Sequence, residues 1–185
     1  MKSLIDFILK KDWTYRLLIS LSPGFPKTSP WFRIRERCHR LRLKKRGMKG
    51  YLQDTLITTP EKVSIGDRTT FGGRVFINGL GGVTIGNDCL IAYGTIITSA
   101  THDPSVEVMN HVTEAKPITI GNNVWIGAGA IILPGVELAD GIAVGAGSVV
   151  TKSFMEPNVI LVGTPAKISR DRHIKFPENF INHAQ

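Results

Sequence analysis

The feature that most constrains the fold is a six-residue period between residues 118 and 151. An aliphatic residue returns there at every sixth position, a period that matches neither the 3.6 of a helix nor the 2 of a strand. A fixed longer repeat is typical of one small structural unit used many times. We interpret each unit as a short strand with its aliphatic residue pointing inward, followed by a corner rich in Gly, Asn and Asp. The aliphatic positions are Ile120, Ile126, Ile132, Leu138, Val144 and Val150.

Three such units make one turn of a three-sided coil, so residues 18 apart should stack on each other. The predicted stacked pairs are Ile120 with Leu138, Ile126 with Val144, and Ile132 with Val150. The period begins near Leu56, slips at the glycine-rich residues 79–82, and is interrupted by a non-repeating excursion over residues 99–117. The sequence therefore predicts an all-β coil of four to five turns over residues 56–162. Residues 1–55 form an N-terminal extension, and residues 163–185 a C-terminal closure and tail.

The charge of the chain is concentrated in one segment. Residues 31–49 carry nine of the 23 Lys and Arg residues, so the formal net charge of +8 is largely local. An apolar stripe through this segment predicts a basic amphipathic helix ending near Gly47. Such a helix could pack, solvated, across one end of the coil, or contact an anionic membrane or a lipid-linked substrate. Nucleic acid is not expected as a partner, because no nucleic-acid motif accompanies the charge.

The expected location is the cytoplasm, with a peripheral contact at the inner face of the membrane through residues 31–49. No apolar run approaches the roughly 20 residues that span a bilayer, and no small-residue cleavage site follows the short apolar run at the amino terminus. The two cysteines, Cys38 and Cys89, stand alone, which fits a reducing compartment.

Three motifs carry a family resemblance: IGNNVWIGAGAIILPGV, VGAGSVVTK and VGTPAK. They resemble the hexapeptide-repeat acyltransferases, most closely the galactoside, maltose and nodulation-type sugar O-acetyltransferases, from about Val63 to Arg170. The resemblance implies a left-handed parallel β-helix, a homotrimer, and acetyl-CoA bound between neighbouring prisms. It also implies acetyl transfer to a saccharide hydroxyl. The helical N-terminal region of the galactoside and maltose enzymes is not recognisable here, which favours a polysaccharide or glycan precursor, as in surface-polysaccharide O-acetyltransferases.

The candidate acceptor side of the site lies mainly in the excursion, which opens with Thr101–Pro104. A loop that leaves a regular scaffold is a common place for chemistry, and an imidazole can accept a hydroxyl proton near neutral pH. The resemblance implies that His102 is the general base of a direct transfer in a ternary complex. Asp103 could orient the imidazole or start a turn, and His111 could contact substrate or be a surface residue. Asn78 falls where the family has an Asn beside the acceptor, or is a corner residue.

The candidate donor side follows from the same resemblance. Ala128 would offer its backbone N–H near the thioester, where developing negative charge needs stabilisation, and Ala146 would contact the pantetheine arm. Trp125 interrupts the aliphatic pattern and should face outward, as part of an interface or of the cofactor wall. CoA carries three phosphate groups, which require cations nearby. The basic residues at matching family positions are Lys152, Lys167 and Arg170.

Three other functions remain open at this point. N-acetylation of a nucleotide-linked amino sugar is the enzymatic alternative. A γ-type carbonic anhydrase shares the fold but needs three His around zinc; only His102 and His111 lie in the repeat region, and no metal is expected. A non-enzymatic β-helix module is the third, against which the His-bearing excursion and the closing VGTPAK motif speak.

Overall fold

The computed structural model describes residues 30–47, 50, 52–109 and 112–173, together with Lys11, Thr14 and Leu17. Most of the expected N-terminal extension lies outside these residues. Helix α1 covers Pro30–Arg42, and a 3₁₀ helix covers Pro60–Lys62. The strands are β1 (Lys45–Arg46), β2 (Thr55–Thr58), β3 (Val63–Ile65), β4 (Thr70–Phe71), β5 (Val75–Asn78), β6 (Val83–Ile85), β7 (Leu90–Ile91), β8 (Ile96–Thr98), β9 (Ala100–His102), β10 (Thr113–Ala115), β11 (Ile118–Ile120), β12 (Trp125–Ile126), β13 (Ile131–Ile132), β14 (Glu137–Leu138), β15 (Ala143–Val144), β16 (Val149–Val150), β17 (Val159–Gly163) and β18 (Ala166–Asp171).

All but two of these strands form the three faces of a prism. Face A contains β1, β3, β6, β11 and β14, and face C contains β2, β5, β8, β13 and β16. Face B contains β4, β7, β12, β15 and β17, and β18 pairs antiparallel with β17 at its end. The chain visits A, B and C in turn, which makes a parallel β-helix. Bridges from Leu52 to Phe71 and from Phe154 to Leu138 extend the ladders at both ends, giving five complete coils and part of a sixth.

The predicted 18-residue stacking is confirmed. The register pairs Ile120 with Leu138, Ile126 with Val144, and Ile132 with Val150. In the second and third coils, by contrast, paired residues are 20 positions apart, as in the pairing of Ile65 with Ile85. The extra residues form a wider corner at residues 79–82, closed by a 2.8 Å hydrogen bond from the Gly82 N–H to the Gly79 carbonyl. A left-handed φ of 92° at Gly82 explains the glycine there.

The close packing of successive coils at the corner between faces A and B explains why glycine followed by Asn or Asp recurs there. A Cβ on Gly86 would lie 2.5 Å from the Gly121 carbonyl oxygen, so only glycine allows this approach between coils. The Asn or Asp side chain that follows the glycine then accepts a hydrogen bond from a backbone N–H of the preceding coil. Asn122 Oδ1 accepts the Asn87 N–H at 2.9 Å, and Asp140 Oδ1 accepts the Asn122 N–H at 2.6 Å. The inward aliphatic positions are at most 2% exposed and form one continuous core.

The N-terminal end of the prism differs from the expected boundaries. Helix α1 ends at Arg42, whereas the basic helix was expected to continue to Gly47, and parallel pairing begins at Lys45, before the expected start at residue 56. The backbone of β1 pairs with β3, and the Gly47 N–H donates to the Ile65 carbonyl at 2.7 Å, so these residues are extended. Cys38 and His39 of α1 are fully buried. The basic segment is thus divided between α1 and the first coil.

Candidate active site

The excursion between β8 and β11 places its residues at the corner between faces C and A. Strands β9 and β10 pair antiparallel, with Thr113 opposite His102. Ser99 anchors the base of this hairpin: its hydroxyl donates to the Asn78 carbonyl at 2.7 Å, and its carbonyl accepts the Lys116 N–H at 2.9 Å. Both ends of the excursion are therefore tied to the coil, and the hairpin projects as a defined element.

The His102 imidazole lies on this hairpin and is exposed to solvent. Its Nδ1 is 3.2 Å from the Val112 carbonyl oxygen on the opposite side of the hairpin. A carbonyl can only accept a hydrogen bond, so this contact places the proton on Nδ1. In the neutral imidazole this leaves Nε2 as the acceptor nitrogen. This is the tautomer that a general base requires.

The Asp103 carboxylate closes a turn rather than forming a hydrogen bond with the imidazole. Oδ1 of Asp103 accepts the Ser105 N–H at 2.8 Å and the Ser105 hydroxyl at 2.7 Å. These hydrogen bonds from Ser105 hold the pKa of Asp103 below its ordinary value. Of the two interpretations of Asp103, the structure therefore shows the turn. His111 lies outside the described residues.

Asn78 is the last residue of β5 and is half-buried below the excursion. Its side-chain Oδ1 accepts the Leu80 N–H at 3.1 Å and the Thr58 hydroxyl at 3.3 Å. Both donors fix the amide with its oxygen towards the chain, which leaves its N–H₂ group without an acceptor among the described residues. Asn78 is thus a corner residue on the coil that supports the hairpin.

Ala128 and Ala146 occupy equivalent positions at the corner between faces B and C. Both are exposed, and the Gly147 N–H donates to the Ala128 carbonyl at 2.9 Å, which stacks one corner on the other. Within the described part of the chain, neither alanine N–H has a hydrogen-bond acceptor. The corner therefore carries two exposed alanines, one in each of two consecutive coils, whose N–H groups are not used by the described part of the chain.

Trp125 faces outward on face B, as its position in the repeat predicts, and its side chain is 51% exposed. It lines a shallow groove of about 280 Å³ whose apolar floor includes Leu90 and Ala143. Arg172 also lines this groove, and its guanidinium donates a 2.8 Å hydrogen bond to the Gly141 carbonyl. The indole is thus the largest exposed aromatic surface of this face among the described residues.

The three candidate phosphate-binding cations lie towards the C-terminal end of the prism. Lys167 and Arg170 are exposed on β18, opposite Val162 and Ile160 of β17. Lys152 is exposed just after β16, with its Nζ 5.7 Å from the centre of the Phe154 ring. Lys167 and Arg170 therefore share face B with Trp125, whereas Lys152 lies at the corner between faces C and A.

A single chain does not bring the two halves of the candidate site together. His102 and Asn78 lie where face C meets face A, whereas Ala128 and Ala146 lie where face B meets face C. The strands of face C separate these two corners. One element was not predicted from the sequence, namely the Val112 carbonyl that orients His102. A backbone carbonyl is present in every residue, so no side-chain pattern marks it.

Comparisons with known proteins identify the repeat as that of a known family. The model of the bacterial transferase hexapeptide family (six repeats) matches residues 117–152, and that of the hexapeptide repeat of succinyl-transferase matches residues 62–99. A Dictyostelium discoideum protein provisionally named an acetyltransferase is 42% identical over 133 residues, which cover 70% of this chain and 68% of that protein. The chain belongs to the hexapeptide-repeat acyltransferase family.

Other members of this hexapeptide-repeat family are also similar. An Escherichia coli K12 protein provisionally named a colanic acid biosynthesis acetyltransferase is 37% identical over 117 residues, or 63% of this chain and 62% of that protein. A solved galactoside acetyltransferase in complex with coenzyme A superposes with a TM-score of 0.77 at 26% identity, covering 90% of this chain and 85% of that one. The matched segments of three such curated relatives span only 50–62% of their length. The prism is the left-handed parallel β-helix of the family.

The buried thiol nearest to the repeat corners is not arranged as a nucleophile in this hexapeptide-repeat protein. Cys89 is 1% exposed, and its Sγ lies 3.1 Å from the Gly121 carbonyl, to which it donates. Burial raises the pKa of Cys89, so the thiol stays protonated at neutral pH. Cys38 in α1 is also buried, and desolvation raises its pKa to about 11. No cluster of three potential metal-ligating side chains occurs among the residues that the structure describes.

Proposed function

We propose that this protein transfers an acetyl group from acetyl-CoA to a hydroxyl group of a saccharide, either a polysaccharide or a glycan precursor. The observation that carries the proposal is the His102 imidazole on its tied hairpin, with Nδ1 engaged by the Val112 carbonyl and Nε2 not hydrogen-bonded to any described residue. Family membership supports the donor, because a similar solved galactoside acetyltransferase holds coenzyme A. The name of the similar E. coli colanic acid biosynthesis protein supports a polysaccharide acceptor.

In the proposed reaction His102 Nε2 removes the proton from the acceptor hydroxyl, and the oxygen attacks the thioester carbonyl. The carbonyl becomes an oxyanion in the tetrahedral intermediate, and the Ala128 N–H donates a hydrogen bond to it. The C–S bond then breaks, and the CoA thiolate takes up the proton held by the imidazolium. The acetyl group passes directly to the acceptor, so no covalent enzyme intermediate is required.

We propose that the donor lies along the corner between faces B and C. The Ala146 N–H would contact the pantetheine arm one coil beyond Ala128, and Trp125 would form the wall of the cleft. Lys152, Lys167 and Arg170 would bind the phosphate groups. On the acceptor side, Asn78, Asp103 and His111 remain the proposed contacts, with Asn78 offering the amide donor that its fixed orientation leaves free.

We propose that three copies of the chain assemble, because the three faces differ in polarity. The outward ladder of face A is polar, whereas face C carries one outward row that is apolar from one end of the prism to the other. This apolar row contains Leu56, Phe76, Ile96, Ile131 and Val149, and a polar row beside it, next to face A, contains Thr58, Asn78 and Thr98. If face C packs between copies, its two bounding corners flank the interface. The His102 corner of one copy then meets the Ala128 corner of the next, which completes the site.

The direct test is a transfer assay with acetyl-CoA and a panel of neutral, acidic and amino saccharides, with mass spectrometry of the products. The expected product is an acceptor that gains one acetyl group as an ester, which mild alkali removes. A product that keeps its acetyl group in mild alkali would be an amide, and would indicate N-acetylation of an amino sugar. No product with any acceptor, despite binding of acetyl-CoA, would refute the proposal.

Reversing the charge at Lys167 is expected to weaken CoA binding. The Lys167→Glu variant replaces an attraction to phosphate by a repulsion, and we expect the dissociation constant to rise about tenfold or more, because charged hydrogen bonds contribute about 1.5–3 kcal/mol. Isothermal titration calorimetry with coenzyme A measures this effect. The matched control is Lys45→Glu, an exposed lysine on face A at the opposite end of the prism. An unchanged dissociation constant for Lys167→Glu would remove Lys167 from the site.

We also propose that the basic segment 31–49 makes a peripheral contact with an anionic membrane surface on the cytoplasmic side. Arg33, Arg37 and Arg40 lie on one side of α1, where they line a groove together with Glu36. Clustered basic side chains bind anionic lipid by electrostatic attraction. None of the described helices has the length and apolar character of a membrane span.

Neutralising this arginine cluster is expected to reduce membrane binding. The triple variant Arg33→Gln, Arg37→Gln, Arg40→Gln should co-sediment several-fold less with vesicles containing 30% anionic lipid, since each basic residue near the surface contributes about 1 kcal/mol. None of the three arginines lies in a strand of the coil. Its control is the wild-type protein with vesicles of neutral lipid, which should show little sedimentation. Equal sedimentation of variant and wild type would contradict the membrane contact.

A further inference from the structure

Two exposed side chains share the corner of Ala128 and Ala146 and have no role in the reaction described above. Tyr93 follows β7 and is 52% exposed, and Arg74 lies one coil earlier and is also exposed. The guanidinium carbon of Arg74 lies 5.8 Å from the centre of the Tyr93 ring. A Cβ added to Gly73 would be 3.4 Å from the ring carbons, so the ring lies against the preceding corner.

The corner residues of successive coils stack in a fixed order. The bonds between them run from the Gly94 N–H to the Gly73 carbonyl (3.0 Å), from the Gly129 N–H to the Tyr93 carbonyl (2.9 Å) and from the Gly147 N–H to the Ala128 carbonyl (2.9 Å). Tyr93 is therefore one coil before Ala128, and Arg74 is two coils before it. With strands about 4.8 Å apart, these distances are about 5 and 10 Å along the prism.

This order places the pair beyond the reacting end of the donor. In the proposed function the donor extends from Lys167 past Ala146 to Ala128, where the thioester lies. Tyr93 and Arg74 lie on the same corner, on the side of Ala128 away from Ala146. That side is left for the acceptor.

The charge of Arg74 is uncompensated, in contrast to that of a similar corner arginine. Arg68 and Arg74 both have a φ of 54°. Arg68 binds Asp88 through two hydrogen bonds of 2.6 and 2.7 Å, whereas Arg74 pairs with no carboxylate among the described residues. The Tyr93 ring restricts the Arg74 guanidinium by a cation–π contact. A restricted guanidinium presents a fork that fits a carboxylate or a phosphate group.

We propose that Tyr93 and Arg74 form an acceptor subsite that selects saccharides with an anionic substituent. The Tyr93 ring covers apolar C–H groups of the sugar, and the Arg74 guanidinium pairs with a carboxylate or phosphate group on that sugar or its neighbour. This inference rests on the proposed function for the direction of the donor. It adds the class of acceptor, which the catalytic residues alone do not determine.

The test measures saccharide binding to the full-length protein in the presence of coenzyme A, by calorimetry or by ligand-observed NMR. Methyl glucuronide and glucose 6-phosphate serve as the anionic probes, and methyl glucoside as the neutral one. We expect the better anionic probe to bind about tenfold more tightly than the neutral sugar at low salt. The better of the two identifies carboxylate or phosphate as the preferred group. The preference should shrink in 0.5 M NaCl, which screens exposed charges.

Variants assign this preference to the pair. Arg74→Gln should abolish it, Tyr93→Ala should weaken binding of all three sugars, and the control Arg68→Gln should leave the preference unchanged. Equal affinity for neutral and anionic sugars, no binding of any of them, or a preference that survives Arg74→Gln would each overturn the subsite. Because binding needs no turnover, a protein that binds anionic sugars but transfers no acetyl group would refute only the proposed function. Transfer with one KM for matched neutral and anionic acceptors would refute only the subsite.

Discussion

Replacing His102 by alanine is expected to lower kcat for acetyl transfer by about 10²- to 10⁴-fold. The alanine cannot take the proton from the acceptor hydroxyl, so the attack on the thioester must proceed through a poorer nucleophile. The exposed position of His102 on the hairpin means that its removal should not disturb the core. The KM for acetyl-CoA should therefore change little, because the donor contacts are on another corner. Steady-state assays that follow release of the CoA thiol measure both constants.

The matched control is His173→Ala, which removes an exposed imidazole beyond β18. It should retain wild-type kcat. Thermal melts of both variants should coincide with that of the wild-type protein. A His102→Ala enzyme with near wild-type kcat would exclude the general-base role of His102.

The regular part of the fold could be predicted from the sequence because one physical rule repeats there. A side chain at every sixth position must be aliphatic to fill the prism, and the position after it must allow two coil backbones to approach, as at Gly86 and Gly121. Where this rule holds without interruption, the predicted stacking of Ile126 on Val144 is the observed register.

The end of the basic helix could not be predicted in the same way. Residues 43–47 carry charges suited to a helix, yet the backbone of Lys45 and Arg46 pairs with β3. This pairing depends on a strand that lies about 20 residues later in the chain, so local helix propensity cannot predict it. Tertiary pairing outweighs the charge pattern because each extended residue adds backbone hydrogen bonds to an existing ladder.

The candidate site likewise has a part that the sequence predicts and a part that it does not. The outward position of Trp125 and the place of His102 in the excursion follow from the repeat and from where it is interrupted, whereas Ala128 was predicted from the family resemblance. The partner of His102 is the Val112 carbonyl, and the role of Asp103 is set by the turn with Ser105. These contacts depend on the path of an irregular hairpin, which lies outside the six-residue repeat and so could not be predicted from it. The separation of the two corners by face C also emerges only when the strands are assigned to faces.

The assembly proposed from face C makes the second large prediction. Ile96 is the middle residue of the apolar ladder, flanked by Phe76 and Ile131, and it is 36% exposed in the single chain. In an Ile96→Glu variant the carboxylate would be enclosed at the interface without a partner. An uncompensated buried charge of this kind costs about 2–5 kcal/mol, which corresponds to a roughly 30- to 5,000-fold weaker association at each interface.

We therefore expect Ile96→Glu to run as a monomer in analytical ultracentrifugation at concentrations where the wild type is a trimer. Its acetyl transfer should fall about as far as that of His102→Ala, although every residue of the site is unchanged, because the two corners come from different copies. The control Thr84→Glu adds the same charge in the same coil on polar face A and should remain trimeric and active. A wild-type monomer, or a monomeric Ile96→Glu with full activity, would show instead that one chain completes the site by itself. In that case the hairpin carrying His102 would have to reach across face C of its own prism.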